Sequence, residues 1–245
     1  MLLEISDIDS WKNFFDVIFD SSTIVELKLD QDKCKISLLN NSHVAFYDVE
    51  YSKSFFDNYQ VDDVESVLIF VEDFYKILKS SKKGDVMTLE SDDANLRIIF
   101  ENESNRRMFE LPLGEDFGAS PVPPSIEYDG SFDVLLDDLK APVNDLDKIV
   151  KTDRFKMRLN DGVLNIVSPD DAMTQYKQEI NVDTNISGDV IIQIDYISQL
   201  LKLSKINKVV EFKLGSDMPL SWKITSPFED VVVSGLIAPI LENNE

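Results

Sequence analysis

The side chains that most often carry catalysis or hold metals are scarce in this sequence. A single histidine, His43, and a single cysteine are too few for a zinc site or for the triads and dyads of hydrolases. The acid pairs Asp92-Asp93 and Asp170-Asp171 have the groups needed for acid–base catalysis or metal binding. In a chain with 46 acidic residues, however, such pairs are more often solvated turn residues. The sequence therefore predicts no catalytic residue, no metal and no cofactor, and it argues against an enzyme.

The basic side chains show a more informative pattern. The chain has 24 basic residues against 46 acidic ones, and its net charge of -22 repels nucleic acid unless the bases are gathered in one place. Two short segments hold Lys76, Lys79, Lys82, Lys83, Lys202, Lys205 and Lys208. On one isolated helix such lysines would indicate only a solvated face. Their recurrence favours a basic surface for phosphate contacts that read no base sequence.

The two lysine segments belong to an internal repeat. At an offset of 123 residues, Val67–Lys82 aligns with Val190–Lys205, and both apolar and polar positions coincide. Each segment is predicted to form a short strand followed by a helix. The first helix of this pair is expected at 72–83. Two further helices are expected at 10–20, capped by Ser10, and at 132–140. Because the remaining segments alternate like strands, the sequence predicts an α+β fold of two repeated strand-rich domains with two short helices each.

A proline-rich stretch divides the chain near its midpoint. Four of the nine prolines lie between Pro112 and Pro124, a composition that cannot continue a helix or a central strand. We therefore expect an N-terminal domain at 1–113, a connecting loop at 114–128 and a C-terminal domain at 129–245. No apolar run approaches the ~20 residues that a membrane-spanning helix needs, so no membrane partner is expected.

Several short motifs carry a resemblance to a known family. They are Ser42-His43-Val44 after an apolar strand, LGSDMPL at 214–220, and Ile237-Ala238-Pro239 followed by Leu241. With the length, the two halves and the linker, they make the chain similar to sliding clamps of the archaeal and eukaryotic type, the proliferating cell nuclear antigen (PCNA) family. The resemblance implies a closed ring of three subunits around duplex DNA. Such a ring tethers replication and repair proteins and does no chemistry itself.

The resemblance also assigns functional residues. The implied DNA-facing residues are Lys12, Lys76, Lys79, Lys82, Lys83, Lys140, Lys202, Lys205 and Lys208. The implied pocket for a PCNA-interacting-peptide (PIP) box consists of Leu39, His43, Val44, Phe46, Val122, Pro123, Pro219, Leu236, Ala238, Pro239 and Leu241. The implied partners are double-stranded DNA, further copies of the chain in a homotrimer, DNA polymerase, the clamp loader and other PIP-box proteins. The implied location is the cytoplasm, with the nucleoid, for an archaeal or viral protein and the nucleus for a eukaryotic one.

Ring closure requires two complementary edges. The strands at 105–113 and 172–182 are expected to pair between neighbouring subunits, because each would otherwise expose unpaired backbone groups. Arg106 and Arg107 are then expected to face acids of the neighbour, and Phe109→Pro is expected to yield monomers.

Other interpretations stay open at the level of the sequence. The net charge also fits an acidic protein that mimics DNA or inhibits a DNA-binding protein. The fold also fits one subunit of a heterotrimeric or checkpoint-type clamp. Within the implied pocket, the apolar residues Val44, Phe46, Leu236 and Leu241 could instead seal the core between strands.

Overall fold

The computed structural model describes residues 1–92, 94–114 and 121–241. The chain divides into two compact units. Unit 1 comprises Met1–His43, Tyr47–Val122 and Thr225–Val233, and unit 2 comprises Val44–Phe46, Pro123–Ile224 and Ser234–Glu245. The domain bounds expected from the sequence, 1–113, 114–128 and 129–245, stay a prediction. Of the expected connecting loop, 115–120 lies outside the described residues.

Unit 1 is built mainly from strands. Its strands are β1 (Leu2–Ile5), β2 (Ile24–Leu29), β3 (Lys33–Leu39), most of β4 (Ala45–Ser52), β5 (Asn58–Gln60), β6 (Glu65–Phe70), β7 (Val86–Ser91), β8 (Asn95–Glu101) and β9 (Arg106–Pro112). Its two α-helices are α1 (Ile8–Ile18) and α2 (Val71–Lys79). One antiparallel sheet has the order β5-β1-β7-β8-β9, and β2 pairs antiparallel with both β3 and β6.

An aromatic core fixes α1 against α2. Trp11 stacks on Tyr51 with 5.1 Å between ring centroids, and the rings of Phe15 and Phe74 lie 4.8 Å apart. All four side chains are fully buried. Since the apolar residues of both helices face this core, their charged residues are left toward solvent.

The helix ends of unit 1 differ from the sequence expectation. The carboxylate of Asp7, rather than Ser10, caps α1, because it accepts the backbone N–H of Ser10 at 3.3 Å. The helix α2 ends at Lys79 and not at 83. Its last carbonyls are satisfied by a tight turn, in which the N–H of Ser80 donates to the carbonyl of Ile77 at 2.9 Å.

Unit 2 repeats this composition. Its strands are β10 (Phe132–Leu135), β11 (Arg154–Asn160), β12 (Val163–Val167), β13 (Lys177–Asn181), β14 (Gly188–Gln193), β15 (Val209–Lys213), most of β16 (Leu220–Thr225) and the end of β17 (Val231–Ile237). Its α-helices are α3 (Leu136–Asp145) and α4 (Ile194–Leu201). One antiparallel sheet has the order β13-β12-β11-β14, and β15 pairs antiparallel with β10 and β16.

The sequence expectation of a helix at 132–140 is wrong at its start. Phe132–Leu135 is extended and pairs with β15, where Phe132 lies opposite Phe212. The helix begins only at Leu136, which donates its N–H to the carbonyl of Lys208 at 2.8 Å. The predicted α+β class, with two strand-rich units of two short α-helices each, is confirmed. No helix within the described residues is long and apolar enough to span a bilayer.

The backbone phase of β9 determines which of its donors face outward. The N–H of Leu113 donates to the carbonyl of Ala94 at 2.9 Å, and the ladder bonds of an antiparallel pair recur at every second residue. Phe109 therefore directs its N–H into the sheet, toward β8. The N–H groups of Met108 and Glu110 point to the outer edge. Proline at Phe109 would therefore remove a donor of the β8–β9 ladder rather than one at the outer edge, and its expected effect on assembly stays a prediction.

The same reasoning applies to β13 at the end of the sheet in unit 2. The N–H of Val182 donates to the carbonyl of Gly162 at 2.9 Å, which sets the phase of the pairing with β12. The outward N–H groups of β13 consequently belong to Lys177, Glu179 and Asn181.

Candidate functional site

The predicted DNA-facing lysines of unit 1 lie on α1, on α2 and in the turn after α2. Lys76 and Lys79 are exposed on α2, and the ammonium of Lys79 lies 5.2 Å from the centre of a tyrosine ring on the same helix. Lys82 and Lys83, here called the basic turn, lie beyond the helix and are exposed. Lys12 lines an open cleft together with the basic turn. The structure thus brings lysines from two elements of unit 1 to one place.

The lysines of unit 2 surround the end of α4. Lys202 and Lys205 are exposed in a single 3₁₀ turn that continues α4, and Lys208 is exposed just after it. Lys140 is exposed on α3, which packs against α4. Each unit therefore carries exposed lysines at the end of its second helix, in agreement with the sequence repeat.

Three of the predicted lysines have an acidic partner within about one helical turn. These pairs are Lys12–Asp9, Lys76–Glu72 and Lys140–Asp137. The hydrogen bond to Glu72 raises the pKa of Lys76, and the ammonium of Lys140 lowers the pKa of the Asp137 carboxyl, with a smaller contribution from Lys208. By contrast, Lys82, Lys83, Lys205 and Lys208 form no ion pair with the described residues. Any anion that approached these four lysines would therefore meet less competition from a resident carboxylate.

Sequence reasoning missed two lysines near α3. A π-helical turn, Leu146–Val150, follows this helix, and the side chain of Lys148 within it is 69% exposed. Lys151 is exposed at the end of that turn in a left-handed conformation with φ 59°. Because the sequence expectation ended the helix at 140, these lysines were not linked to it. The apolar residues of the helix continue through Leu146, which is the signal that could have extended it.

A buried carboxylate fixes the basic turn of unit 1. The side chain of Asp85 is 1% exposed and accepts hydrogen bonds from the backbone N–H of Lys82, the amide of Asn102 and the guanidinium of Arg107. Burial by itself would raise the pKa of this carboxyl, but the three donors together lower it below its ordinary value. Arg107 is therefore bound within its own subunit, and Arg106 lies 3.4 Å from Glu101. The expected contact of the two arginines with acids of a neighbouring subunit stays a prediction.

Acid should weaken the fold through Asp85. Its pKa is lower in the folded protein than in the unfolded chain, so its stabilising effect is complete above about pH 5 and is lost as the pH falls through the folded-state value. We expect Asp85→Asn to lower the free energy of unfolding at neutral pH by about 2 kcal/mol. Urea unfolding should show this difference shrinking below about pH 4. A difference that stays constant with pH would contradict the assignment.

The acid pairs considered as catalytic candidates have structural partners. Asp92 accepts backbone N–H groups from Ala94 and Asn95, and Asp171 lies 2.9 Å from the guanidinium of Arg154. Asp93 lies outside the described residues.

The C-terminal segment, residues 238–241, carries three of the eleven predicted pocket residues and belongs to unit 2. The N–H of Ala238 donates to the carbonyl of Val44 at 2.8 Å, and the N–H of Ile240 donates to the carbonyl of Ile191 at 2.8 Å. These bonds hold the segment in an extended course after β17. Its side chains can therefore present an ordered apolar surface.

Close backbone packing sets the path of β17 into this segment. A Cβ atom at Gly235 would lie 2.4 Å from the carbonyl oxygen of Phe46 and 2.5 Å from the ring of Trp222. Only glycine permits this approach. The position of the residues that follow therefore depends on a glycine at position 235.

The predicted pocket residues of unit 2 differ in their exposure. Val44, Pro219, Leu236, Ala238 and Pro239 are half-buried, whereas Pro123 and Leu241 are exposed. Phe46 is 6% exposed and packs in the core, as the alternative interpretation holds for this residue. Leu241, at 65% exposed, does not seal a core.

The three remaining pocket candidates belong to unit 1, and all are exposed. Leu39 is 37% and Val122 is 87% exposed. His43 is exposed in a tight turn with φ 58°, and its backbone N–H donates to the carbonyl of Asn40 at 2.9 Å.

Comparison with known proteins agrees with this architecture. The family model described as "Proliferating cell nuclear antigen, N-terminal domain" matches residues 3–114. The DNA polymerase sliding clamp of Methanobrevibacter smithii is 29% identical and aligns over 99% of this chain and 98% of its own. The DNA polymerase sliding clamp of Methanothermobacter thermautotrophicus is also 29% identical, with the same coverage.

Solved structures share the fold. A chain in the PCNA2–PCNA3 complex of Sulfolobus tokodaii matches with a TM-score of 0.87 at 22% identity, over 99% of this chain and 100% of that one. The PCNA of Thermococcus kodakaraensis matches with a TM-score of 0.86 at 17% identity, over 98% and 99%. The fold is therefore that of the DNA clamps. In sequence, residues 3–114 match the proliferating cell nuclear antigen family model, and nearly the whole chain is similar to DNA polymerase sliding clamps.

Proposed function

We propose that this protein is a DNA sliding clamp, in which three copies close into a ring around duplex DNA and tether replication and repair proteins. The observation that carries the proposal is the pair of lysine groups at equivalent places in the two units of a chain with net charge -22. The match to the family model and the similarity to sliding-clamp relatives support the same function. The family has no enzymatic activity in general, and we extend this to the present chain.

The lysine groups suit binding that does not depend on base sequence. Lysine ammonium groups on flexible stems contact phosphates as point charges, and such contacts release counterions from the duplex. Binding of this kind is weak per contact and falls steeply with salt. A clamp requires this behaviour, since it must move along DNA without stopping at particular sequences.

Removing the basic turn and its counterpart should weaken DNA binding most. We expect Lys82→Ala/Lys83→Ala, and separately Lys205→Ala/Lys208→Ala, to lower the salt dependence of binding, with about 0.9 removed from the slope per lost phosphate contact. These lysines lack a competing ion pair in the described structure. Fluorescence anisotropy with a short duplex, titrated at several salt concentrations, measures the slope.

A matched control removes two exposed lysines from strands outside the groups. Lys28→Ala/Lys223→Ala makes the same change in net charge and should leave the slope unchanged. An equal loss in this control would show that only overall charge matters. An unchanged slope in both test variants would contradict the assignment of the lysines to DNA.

The remaining proposed partners are DNA polymerase, the clamp loader and other PIP-box proteins, which would bind the apolar surface of the C-terminal segment. The proposed location is with the DNA, in the cytoplasm if the source is archaeal or viral and in the nucleus if it is eukaryotic. A heterotrimeric or checkpoint-type ring is the alternative assembly. Sedimentation of the purified chain alone separates the two, because a homotrimer forms without other subunits.

An acidic DNA mimic or inhibitor is the alternative function, and the net charge is its support. Retention on circular DNA distinguishes the two functions. A closed ring loaded on a nicked circle stays bound until the circle is linearised, whereas a mimic is not retained on either form.

A further inference from the structure

Asp85 joins three parts of unit 1 that are separate in the sequence. One carboxylate oxygen accepts the amide of Asn102 at 2.5 Å, from the turn between β8 and β9. The other oxygen accepts the backbone N–H of Lys82 at 2.9 Å and the guanidinium of Arg107 at 2.6 Å. The basic turn, the β8–β9 turn and the edge strand β9 thus meet at one buried side chain.

The partners of Asp85 are themselves held in place. The second terminal nitrogen of Arg107 donates to the carbonyl of Ser80 at 3.0 Å, at the end of α2, and its guanidinium lies 5.3 Å from the centre of the Phe100 ring. The side-chain oxygen of Asn102 accepts two backbone N–H groups of its own turn. A network in which every member has several bonds resists local rearrangement more than isolated pairs do.

We infer that Asp85 is a positioning residue for DNA binding, which holds Lys82 and Lys83 in a placement set by β9. The inference rests on the proposed function of these lysines as phosphate contacts. A turn whose backbone is already ordered reduces the entropic cost of binding a phosphate, because only the lysine side chains remain to be ordered. If the network is broken, the duplex itself has to order the turn.

Electrostatics alone predicts the opposite effect of removing this carboxylate. Asp85 is an acid bonded directly to the basic turn, so neutralising it raises the local positive potential and should strengthen DNA binding. Loss of positioning should weaken binding instead. The sign of the change after Asp85→Asn therefore separates the two effects.

The experiment measures binding of the full-length chain to a short duplex at several salt concentrations. We expect Asp85→Asn to weaken binding several-fold and to reduce the salt slope by about 1, the value for one phosphate contact. Asp92→Asn is the matched control, because it removes the same charge from the β7–β8 turn of unit 1, where the carboxylate bonds its own turn and Arg97. The control should bind DNA as well as the parent protein or slightly better. Equal or stronger binding by Asp85→Asn would overturn the inference.

A double-mutant cycle distinguishes positioning from a general loss of structure. In a Lys82→Ala/Lys83→Ala background, Asp85→Asn should cause no further loss, because its effect passes through those two lysines. The same loss in both backgrounds would overturn the inference. Asn102→Ala removes one donor and leaves the ion pair to Arg107, so it should give a smaller change in the same direction. This variant keeps the test decisive if Asp85→Asn does not fold.

The outcome also separates this inference from the proposed function. If the parent protein is not retained on circular DNA, the proposed function fails. If the parent is retained and Asp85→Asn binds equally well, only the positioning role fails.

Discussion

Met108→Pro is expected to convert the proposed three-subunit ring into monomers while each subunit stays folded. The N–H of Met108 points away from β8, so proline removes a donor from the outer edge of β9 and leaves the sheet intact. The lost hydrogen bond and the bulk of the proline side chain should raise the dissociation constant between subunits at least about tenfold, or about 1.4 kcal/mol. Sedimentation velocity over a range of protein concentrations measures this change.

Phe109→Pro is the matched comparison for this test. Its N–H points into the sheet at Ile98, so proline there breaks the β8–β9 pairing and should lower the melting temperature as well as the association. A Met108→Pro variant that remains trimeric at the parent's concentrations would show that subunits do not pair through β9.

The charges on the two edges are compatible with a specific register, which two substitutions can test. An antiparallel register that places Glu110 opposite Lys177 also places Met108 opposite Glu179, and no like charges then oppose each other. Glu110→Lys should therefore weaken the association, and adding Lys177→Glu should restore it. If the double variant is as weak as the single one, this register is incorrect.

Pro239→Glu is expected to abolish capture of a PIP-box peptide while the trimer and its melting behaviour stay nearly unchanged. Pro239 is half-buried between two residues whose backbone N–H groups are fixed to Val44 and Ile191. A carboxylate at this place would lose hydration whenever an apolar peptide side chain covers it, a cost that should reduce affinity at least about tenfold. Calorimetry with the peptide, beside a measurement of oligomer mass, tests the expectation.

The control for this change is another proline-to-glutamate substitution. Pro227 is exposed on the turn between β16 and β17, so Pro227→Glu adds the same charge away from the C-terminal segment. It should leave peptide affinity unchanged. Retained affinity in Pro239→Glu would place the pocket elsewhere, and joint loss of fold and binding would favour the core interpretation of these residues.

The sequence was sufficient for the repeated α+β architecture but not for the helix ends. Matching apolar and polar positions at an offset of 123 residues identified the equivalent units, because two units with the same fold bury the same positions. The start of α3 was misplaced because Phe132, Leu135, Leu136 and Leu139 recur at a helical spacing, while Phe132 and Val134 also alternate as in a strand. Only pairing with Phe212 and Val210 decides between them.

The sequence predicted which lysines belong to the candidate site, but it did not predict the hydrogen bonds that hold them in place. The lysines could be found because their recurrence contrasts with the acidic remainder of the chain. The role of Asp85 could not, since its partners Asn102 and Arg107 are 17 and 22 residues away and only the fold brings them together. Likewise, the outward donors of β9 follow from the phase of its ladder, which the sequence alone does not set.

Under the proposed function, the acid beside each of three helical lysines has a consequence for movement along DNA. A phosphate that approaches Lys76 replaces the carboxylate of Glu72 as well as water, so it exchanges one ion pair for another of similar strength. The same exchange applies at Lys12 and Lys140. The free energy gained at each contact is then small, and the barrier to leaving one phosphate for the next is correspondingly low. The resident carboxylates would in this way allow an acidic ring to stay close to DNA without binding tightly at any one position.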